Sequence, residues 1–279
     1  MPPRADPQTE DNWTVHALNI HGEFFERWCA QIIREANPWR LVTTNYPVSV
    51  DAHQSTLDIR ADADIGDSRY ILLIECKKNN PEFVDWIFFP KHNGSEGQTP
   101  VVLTGIATNG QPTLLELPLR AFGTNIADMG RETRGDYLAY KQRNDKTKTS
   151  NSAITDASRQ VALATEAIWY EERVQAEDRR QGKPSHGPKV YIVPLVVTTA
   201  RLRLCQFNPR KVDEETGEIS LNEAALTNPL ASIVYEYPLP TNFQRYKPHI
   251  SEDRYVRRHI IVVHSTKFRD FLATLGLDL

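Results

Sequence analysis

The chain has 279 residues, of which 40% are hydrophobic and 25% are charged, and this is the composition of a globular protein with a substantial core. Its formal net charge of -3 excludes a protein that coats nucleic acid through a strong overall positive charge. Any contact with nucleic acid must therefore come from local clusters of lysine and arginine. The length fits one large α/β domain or a domain with an appendage.

The three cysteines, Cys29, Cys76 and Cys205, are far apart and form no CxxC pair, so neither a disulfide framework nor a zinc ribbon is predicted. The longest apolar run, Val190 to Val197, is interrupted by Pro194 and is too short to cross a membrane. The N-terminal segment contains no apolar signal core. We therefore expect a soluble, cytoplasmic protein without a membrane partner.

Hydrophobic periodicity predicts the first elements in chain order. Residues 1–12 are polar and rich in proline, and we expect them to be frayed. Residues His21 to Ala36 carry one apolar stripe at helical spacing, and the following Asn37-Pro38 step ends this helix. Three strands are predicted next, at Leu41 to Val50, Thr56 to Ala63 and Tyr70 to Lys77. Turn residues between the last two strands predict a hairpin.

Residues 79–152 are punctuated by proline and glycine, and they are predicted to form an insertion that partly lines a binding surface. Two segments in it, Val101 to Thr108 and Thr113 to Leu119, are candidate strands. We expect a mobile loop near Asn144 to Asn151.

A long helix is predicted from Thr155 to Arg179, with four apolar residues towards the core and Glu171 and Glu172 towards water. The four apolar residues are Ala157, Val161, Ala164 and Ile168. A buried strand follows at Lys189 to Thr198, and Arg201 to Phe207 is a candidate partner for it. The remaining predicted elements are strands at Ser232 to Tyr237 and His259 to His264 and a short helix at Thr266 to Leu275.

This order of helix, three strands, insertion, helix and strand predicts an α/β fold with a parallel or mixed central sheet flanked by helices. We assign residues 13–207 to the main domain, with the insertion at about 79–152. Residues 208–279 are predicted to be a C-terminal extension packed on the same domain.

Three polar residues are concentrated where two predicted strands meet. Glu75 and Lys77 end an apolar strand, and they project to the same side because side chains alternate along a strand. Hairpin pairing brings Asp58 of the preceding strand beside them. Two carboxylates can hold Mg²⁺ or Mn²⁺, which neutralises a phosphodiester and activates a water, and a lysine can stabilise the transition state. A surface salt bridge at a strand end is the alternative interpretation.

Three segments together resemble the PD-(D/E)XK nuclease superfamily: STLDIR with Asp58, ILLIECKK with Glu75-Cys76-Lys77, and GEFFER at residues 22–27. The resemblance covers about residues 20–80 and 155–198, and Leu57 stands where the motif often has proline. It implies a restriction-endonuclease-like α-β-β-β-α-β core, as in Mrr-type enzymes and Holliday-junction resolvases. Asp58, Glu75 and the Cys76 main-chain carbonyl would bind the metal, and Lys77 would position the attacking water.

The resemblance also implies functional residues on the two helices. Some branches carry a glutamate in the first helix, which corresponds to Glu26 here, with Glu23 one turn earlier as the alternative. Gln160 matches a glutamine on the helix after the ExK strand, although the tyrosine that often follows is replaced by Ala164. Solvated polar residues on helix surfaces are the alternative interpretation of both positions.

Several basic residues are candidate phosphate contacts: Lys78, Arg159, Lys141, Arg143, Lys146 and Lys148. The chain has none of the motifs GxxxxGK[ST], GxGxxG, HExxH or GxSxG, which argues against the enzyme classes that use them. Together with the metal-site pattern, the resemblance implies a metal-dependent DNA endonuclease of restriction or anti-phage defence type, and by analogy a homodimer or a subunit of a defence complex. The alternatives are a catalytically inactive nuclease-fold module that binds nucleic acid or scaffolds a complex, and a protein-interaction domain.

Overall fold

The computed structural model describes residues 7–50, 53–79, 83–90, 100–106, 112–118, 126–138, 152–180, 189–220, 222–238 and 257–275. Four α-helices lie in these ranges: α1 (Pro7–His21), α2 (Glu23–Glu35), α3 (Ser152–Arg180) and α4 (Phe268–Thr274). The first six strands are β1 (Arg40–Val50), β2 (His53–Ile65), β3 (Ser68–Lys77), β4 (Phe83–Pro90), β5 (Pro100–Ile106) and β6 (Pro112–Pro118). The other six are β7 (Ile126–Leu138), β8 (Lys189–Thr198), β9 (Arg201–Phe207), β10 (Ala224–Leu226), β11 (Ser232–Pro238) and β12 (Arg257–His264).

These strands form one mixed sheet with the order β1-β2-β3-β8-β12-β11-β7-β4-β9-β10, and β5 pairs with both β6 and β8. The first three strands are antiparallel neighbours, whereas β3, β8 and β12 run parallel to one another. The predicted α/β class with a mixed sheet between helices is therefore confirmed. Strands from the predicted insertion and from the C-terminal part of the chain belong to this same sheet.

Two hydrophobic clusters cover the two faces of the sheet. On one face Ile71 and Leu73 of β3 belong to the cluster that contains the buried side of α3. On the other face Leu72 and Ile74 belong to the cluster that contains α2 and α4. Because side chains alternate along a strand, Glu75 and Lys77 continue the α3 face and Cys76 continues the α2 face. The alternation therefore directs the predicted ExK motif towards α3.

Most of the predicted elements match the structure to within a few residues. The hairpin between β2 and β3 closes at the pair Ile65 and Ser68, and Gly66 in its turn has a φ of 59°, which favours glycine. The predicted apolar face of α3 is confirmed, because Ala157, Val161, Ala164 and Ile168 are all fully buried. None of the described helices has the length and apolar character needed to span a membrane.

Three predictions about local structure are wrong. Residues from Pro7 onwards are helical rather than frayed, and proline suits the first position of a helix because its φ is already helical. β9 pairs with β4 and β10 rather than with β8, whose neighbours are β3, β12 and β5. Glu172 is buried rather than solvated, because Arg69 of β3 pairs with it at 3.1 Å and compensates its charge.

Candidate active site

Asp58 lies where the pairing of β2 with β3 ends. The two strands pair from the hairpin turn as far as Ile59 and Ile74. Beyond that point the main-chain N–H of Cys76 donates to Oδ2 of Asp58 at 2.7 Å. A carboxylate therefore accepts the hydrogen bond that a main-chain carbonyl would accept in a continued ladder. This bond fixes Asp58 beside the residues on either side of Cys76.

Lys77 connects the end of β3 with α3. Its Nζ donates to Oε1 of Glu75 at 2.7 Å and to Oε1 of Gln160 at 3.3 Å. Nε2 of Gln160 donates in turn to the main-chain carbonyl of Thr56 at 3.2 Å. Gln160 therefore links α3 to β2 and to the lysine at the same time. The structure brings together four sequence-predicted residues, Asp58, Glu75, Lys77 and Gln160.

Burial and like charge destabilise the ionised carboxylates of this site. Glu75 is 1% exposed, and its burial, together with the nearby Asp58 carboxylate, raises its pKa to about 8 against the opposing effect of Lys77. Burial also raises the pKa of Asp58, although the Cys76 N–H and Lys77 oppose the shift. Burial acts to lower the pKa of Lys77, but Glu75 and Asp58 outweigh it and the pKa is raised. The site therefore favours an additional positive charge, either a proton or a cation.

Glu26 of α2 lies on the border of the same site. Partial burial raises its pKa to about 7, with further contributions from the Asp58 and Glu23 carboxylates, while Lys77 and Arg27 act in the opposite direction. Glu23 also acts to raise the pKa of Asp58. Both of the glutamates that the sequence offered as alternatives thus lie within electrostatic reach of Asp58. The structure therefore leaves both of them as candidates.

The side chains fit a divalent cation at Asp58 and Glu75. Oε2 of Glu75 is buried and has no hydrogen-bond partner, and the Asp58 carboxylate disfavours the ionisation of Glu75. A bound cation would compensate both effects. Among the described residues, no group of three or more His, Cys, Asp and Glu side chains forms a metal cluster. The donor set would therefore consist of these two carboxylates with oxygen donors from the main chain or water.

Cys76 can contribute to such a site only through its main chain. Its side chain is 5% exposed and belongs to the cluster on the α2 face of the sheet, where a hydrogen bond joins it to Cys29. Burial raises the pKa of the Cys76 thiol well above its ordinary value. The thiol is therefore a neutral core group and not a metal ligand.

The predicted phosphate contacts have different environments. Nζ of Lys78 donates to the main-chain carbonyl of Asn19 at the end of α1, so this lysine ties α1 to the end of β3. Arg159 is exposed on α3. Burial raises the pKa of the Tyr237 phenol, and the nearby positive charge of Arg159 opposes this shift. The four remaining candidates, Lys141, Arg143, Lys146 and Lys148, lie outside the described residues, as does the predicted loop at 144–151.

Sequence reasoning missed Asp156. This residue lies one helical turn before Gln160 on α3, and its carboxylate contributes to the raised pKa of Lys77. The four-residue spacing to Gln160 is the signal that could have identified it, because residues four apart share one side of a helix. The carbonyl of Thr56 has no comparable signal, since any residue can provide a main-chain acceptor.

Comparisons with known proteins identify no relative of this chain. No known family model, no curated protein and no solved structure matches the chain.

Proposed function

We propose that the protein is a metal-dependent nuclease that hydrolyses phosphodiester bonds, with DNA as its substrate and a role in restriction or anti-phage defence. The observation that carries this proposal is the position of Lys77, whose ammonium is hydrogen-bonded to Glu75 and Gln160 beside the partly buried Asp58 carboxylate. An ion pair that served stability alone would have no need of a second carboxylate beside it whose ionisation burial and the Glu23 charge disfavour.

The order of elements around this site supports a PD-(D/E)XK core. Helix α2, strands β1 to β3, helix α3 and strand β8 follow one another in the order α-β-β-β-α-β, with β4 to β7 between β3 and α3. The proposed motif residues lie on β2 and β3, and the proposed glutamate and glutamine lie on α2 and α3. The chain thus has a candidate for each position that the resemblance requires.

Each side chain has a separate role in the proposed reaction. Asp58 and Glu75 would hold Mg²⁺ or Mn²⁺, and such a cation supplies neutralisation of phosphate charge and a bound water of lowered pKa. Lys77 stays protonated because Glu75 and Asp58 stabilise its charge, so its ammonium is available to the negative charge that develops on the phosphate. Gln160 restricts the orientation of Lys77 by accepting one of its hydrogen bonds.

The proposal is tested by incubating the protein with supercoiled plasmid and Mg²⁺ or Mn²⁺, with and without EDTA. Linear and single-stranded DNA and RNA are tested in parallel to define the substrate. We expect metal-dependent nicking or linearisation that EDTA abolishes and that Lys77→Ala lacks. Metal-independent binding of nucleic acid without cleavage would favour the inactive nuclease-fold module instead. Absence of both binding and cleavage would contradict the nucleic-acid assignment.

A further inference from the structure

The three central parallel strands end side by side, next to the proposed active site. Lys77 at the end of β3 is level with Thr198 at the end of β8, and Thr198 is level with His264 at the end of β12. The carboxyl edge of neighbouring parallel strands is where open α/β sheets bind their ligands. Groups that fix the chain at this edge therefore influence the position of Lys77.

Thr199 holds the main chain on both sides of Lys78. Its N–H donates to the carbonyl of Lys77 at 3.3 Å, and its Oγ1 accepts the N–H of Asn79 at 2.8 Å. The turn that carries Thr199 is itself held, because the N–H of Ala200 donates to Oγ1 of the fully buried Thr198 at 3.1 Å. The residue after β8 therefore continues the attachment of β3 beyond the end of the regular ladder.

His264 holds Thr199 from the other side. Nδ1 of the imidazole accepts the N–H of Thr266 at 3.3 Å and contacts Oγ1 of Thr266 at 2.9 Å, which caps the 3-10 turn at Ser265–Lys267. Nδ1 is therefore unprotonated, and the neutral ring carries its proton on Nε2. Burial lowers the pKa of His264, which agrees with a neutral ring, and a hydrogen bond to the Thr199 main chain opposes this shift. A main-chain bond that opposes loss of the ring proton has the ring as donor and the Thr199 carbonyl as acceptor.

We propose that Thr199 and His264 are positioning residues that fix the main chain around Lys77 and thereby the place of its ammonium. The His264 imidazole connects the turn at Ser265–Lys267 to Thr199. Thr199 in turn binds the carbonyl of Lys77 and the N–H of Asn79. Neither residue needs to contact the substrate. This inference rests on the proposed function for its effect on turnover, whereas its effect on the geometry of Lys77 is independent of that function.

Two substitutions of His264 separate its two hydrogen bonds. The shorter His264→Asn side chain keeps an acceptor for the N–H of Thr266 but loses the donor to Thr199. The longer His264→Gln side chain keeps a donor that reaches Thr199. We expect kcat on plasmid to fall about tenfold or more in His264→Asn with KM changed less than twofold, and to stay within about threefold of wild type in His264→Gln. Equal kcat in the two variants would overturn the positioning role.

Thr199 provides a second pair of variants that does not depend on the folding of the His264 variants. Thr199→Val removes the acceptor of the Asn79 N–H, and Thr199→Ser retains it. We expect kcat to fall in Thr199→Val about as much as in His264→Asn, and to stay near the wild-type value in Thr199→Ser. A kcat of Thr199→Val equal to that of wild type would overturn the proposal.

A measurement without substrate distinguishes failure of this inference from failure of the proposed function. We measure two rates in each variant: amide hydrogen exchange at Asn79, and acylation of Lys77 by an amine-reactive reagent. We expect both rates to rise about tenfold in His264→Asn and Thr199→Val and to stay near wild type in the matched variants. Unchanged rates in His264→Asn and Thr199→Val would overturn the inference even if the plasmid is cleaved. If the variants show the expected rates but the wild-type protein cleaves no nucleic acid, the inference is supported and the proposed function is contradicted.

Discussion

Oδ2 of Asp58 accepts the main-chain N–H of Cys76 at 2.7 Å at the point where β2 and β3 stop pairing. One bond therefore satisfies a main-chain donor and fixes a carboxylate beside Glu75 and Lys77 of the ExK motif. The arrangement keeps Asp58 beside Glu75 despite the unfavourable interaction of their charges.

Asp58→Asn is expected to make the metal-free protein more stable and to abolish cleavage. Asparagine retains an acceptor for the Cys76 N–H, but it removes a partly buried charge that raises the pKa of Glu75. We expect the free energy of unfolding to rise by on the order of 1 kcal/mol at pH 8 in EDTA, as measured by urea denaturation. The control is Asp64→Asn, whose exposed carboxylate pairs with Arg40 and should change stability by about 0.5 kcal/mol or less. A less stable Asp58→Asn would contradict the idea that this carboxylate serves function at the expense of stability.

Stability of the metal-free protein is expected to fall as the pH rises from about 5 to about 8. Folding raises the pKa of Glu26 to about 7 and that of Glu75 to about 8 from the ordinary value of 4.5. In this interval these two carboxyl groups bind more protons in the folded state than in the unfolded state, so their deprotonation favours unfolding. His264, whose pKa burial lowers, acts in the opposite direction as one group against two. Urea unfolding in EDTA at several pH values measures the slope.

Two comparisons test the origin of this pH dependence. Glu75→Gln should flatten it because it removes the group with the highest raised carboxyl pKa in the site. Addition of Mg²⁺ or Mn²⁺ should reduce the loss of stability at high pH, because a cation binds the ionised carboxylates. A pH profile that is identical in wild type and Glu75→Gln would show that the slope arises elsewhere.

Gln160→Ala is expected to slow cleavage by roughly one to two orders of magnitude without unfolding the protein. The substitution removes the acceptor for Lys77 and the donor to the Thr56 carbonyl. Gln160→Glu retains an acceptor for Lys77 but replaces the donor to Thr56 with a carboxylate oxygen, so its kcat should lie between those of wild type and Gln160→Ala. Single-turnover kinetics, with circular dichroism as the folding control, measure the effect. A wild-type rate in Gln160→Ala would remove this residue from the site.

The basic stretch is expected to bind phosphates without base specificity. Neutralising Lys141, Arg143, Lys146 and Lys148 should weaken binding to all sequences. The slope of log K against log salt concentration should become shallower by about 0.9 for each phosphate that is no longer neutralised. Fluorescence anisotropy with labelled duplexes over a series of salt concentrations gives the slope. Lys267→Gln with Arg269→Gln is the control, because these cations pair with Asp270 and Glu35. An unchanged slope in the fourfold variant would assign the stretch to another role.

Local sequence patterns predicted the core elements and the convergence of the motif residues. The apolar stripe of α3 and the alternation along β3 are local signals, and they correctly direct Glu75 and Lys77 to one face of the sheet. The turn before Ser68 set the register of the hairpin, and that register brings Asp58 next to the end of β3. These features are determined by residues close together in sequence.

The features that local patterns did not predict depend on contacts between distant parts of the chain. β9 has an ordinary strand pattern, but its neighbours β4 and β10 are selected by packing across the whole sheet. Glu172 is on the buried side of α3 because Arg69, more than a hundred residues earlier, compensates its charge. Helix α1 was missed because its described side chains, from Asn12 to His21, are exposed on all sides and show no apolar stripe.

The most direct test of the account compares metal binding and cleavage in Lys77→Ala and Glu75→Ala. Lys77→Ala leaves both carboxylates in place and removes a positive charge beside them, so we expect it to bind Mn²⁺ at least as tightly as wild type in isothermal titration. Its cleavage of plasmid should fall by on the order of a hundredfold or more, because a positioned charge at the transition state is lost. Glu75→Ala should bind Mn²⁺ more weakly, and its residual activity should require more metal. Cleavage by Lys77→Ala at the wild-type rate would contradict the catalytic role of Lys77 and favour a nuclease-fold module that binds nucleic acid without cutting it.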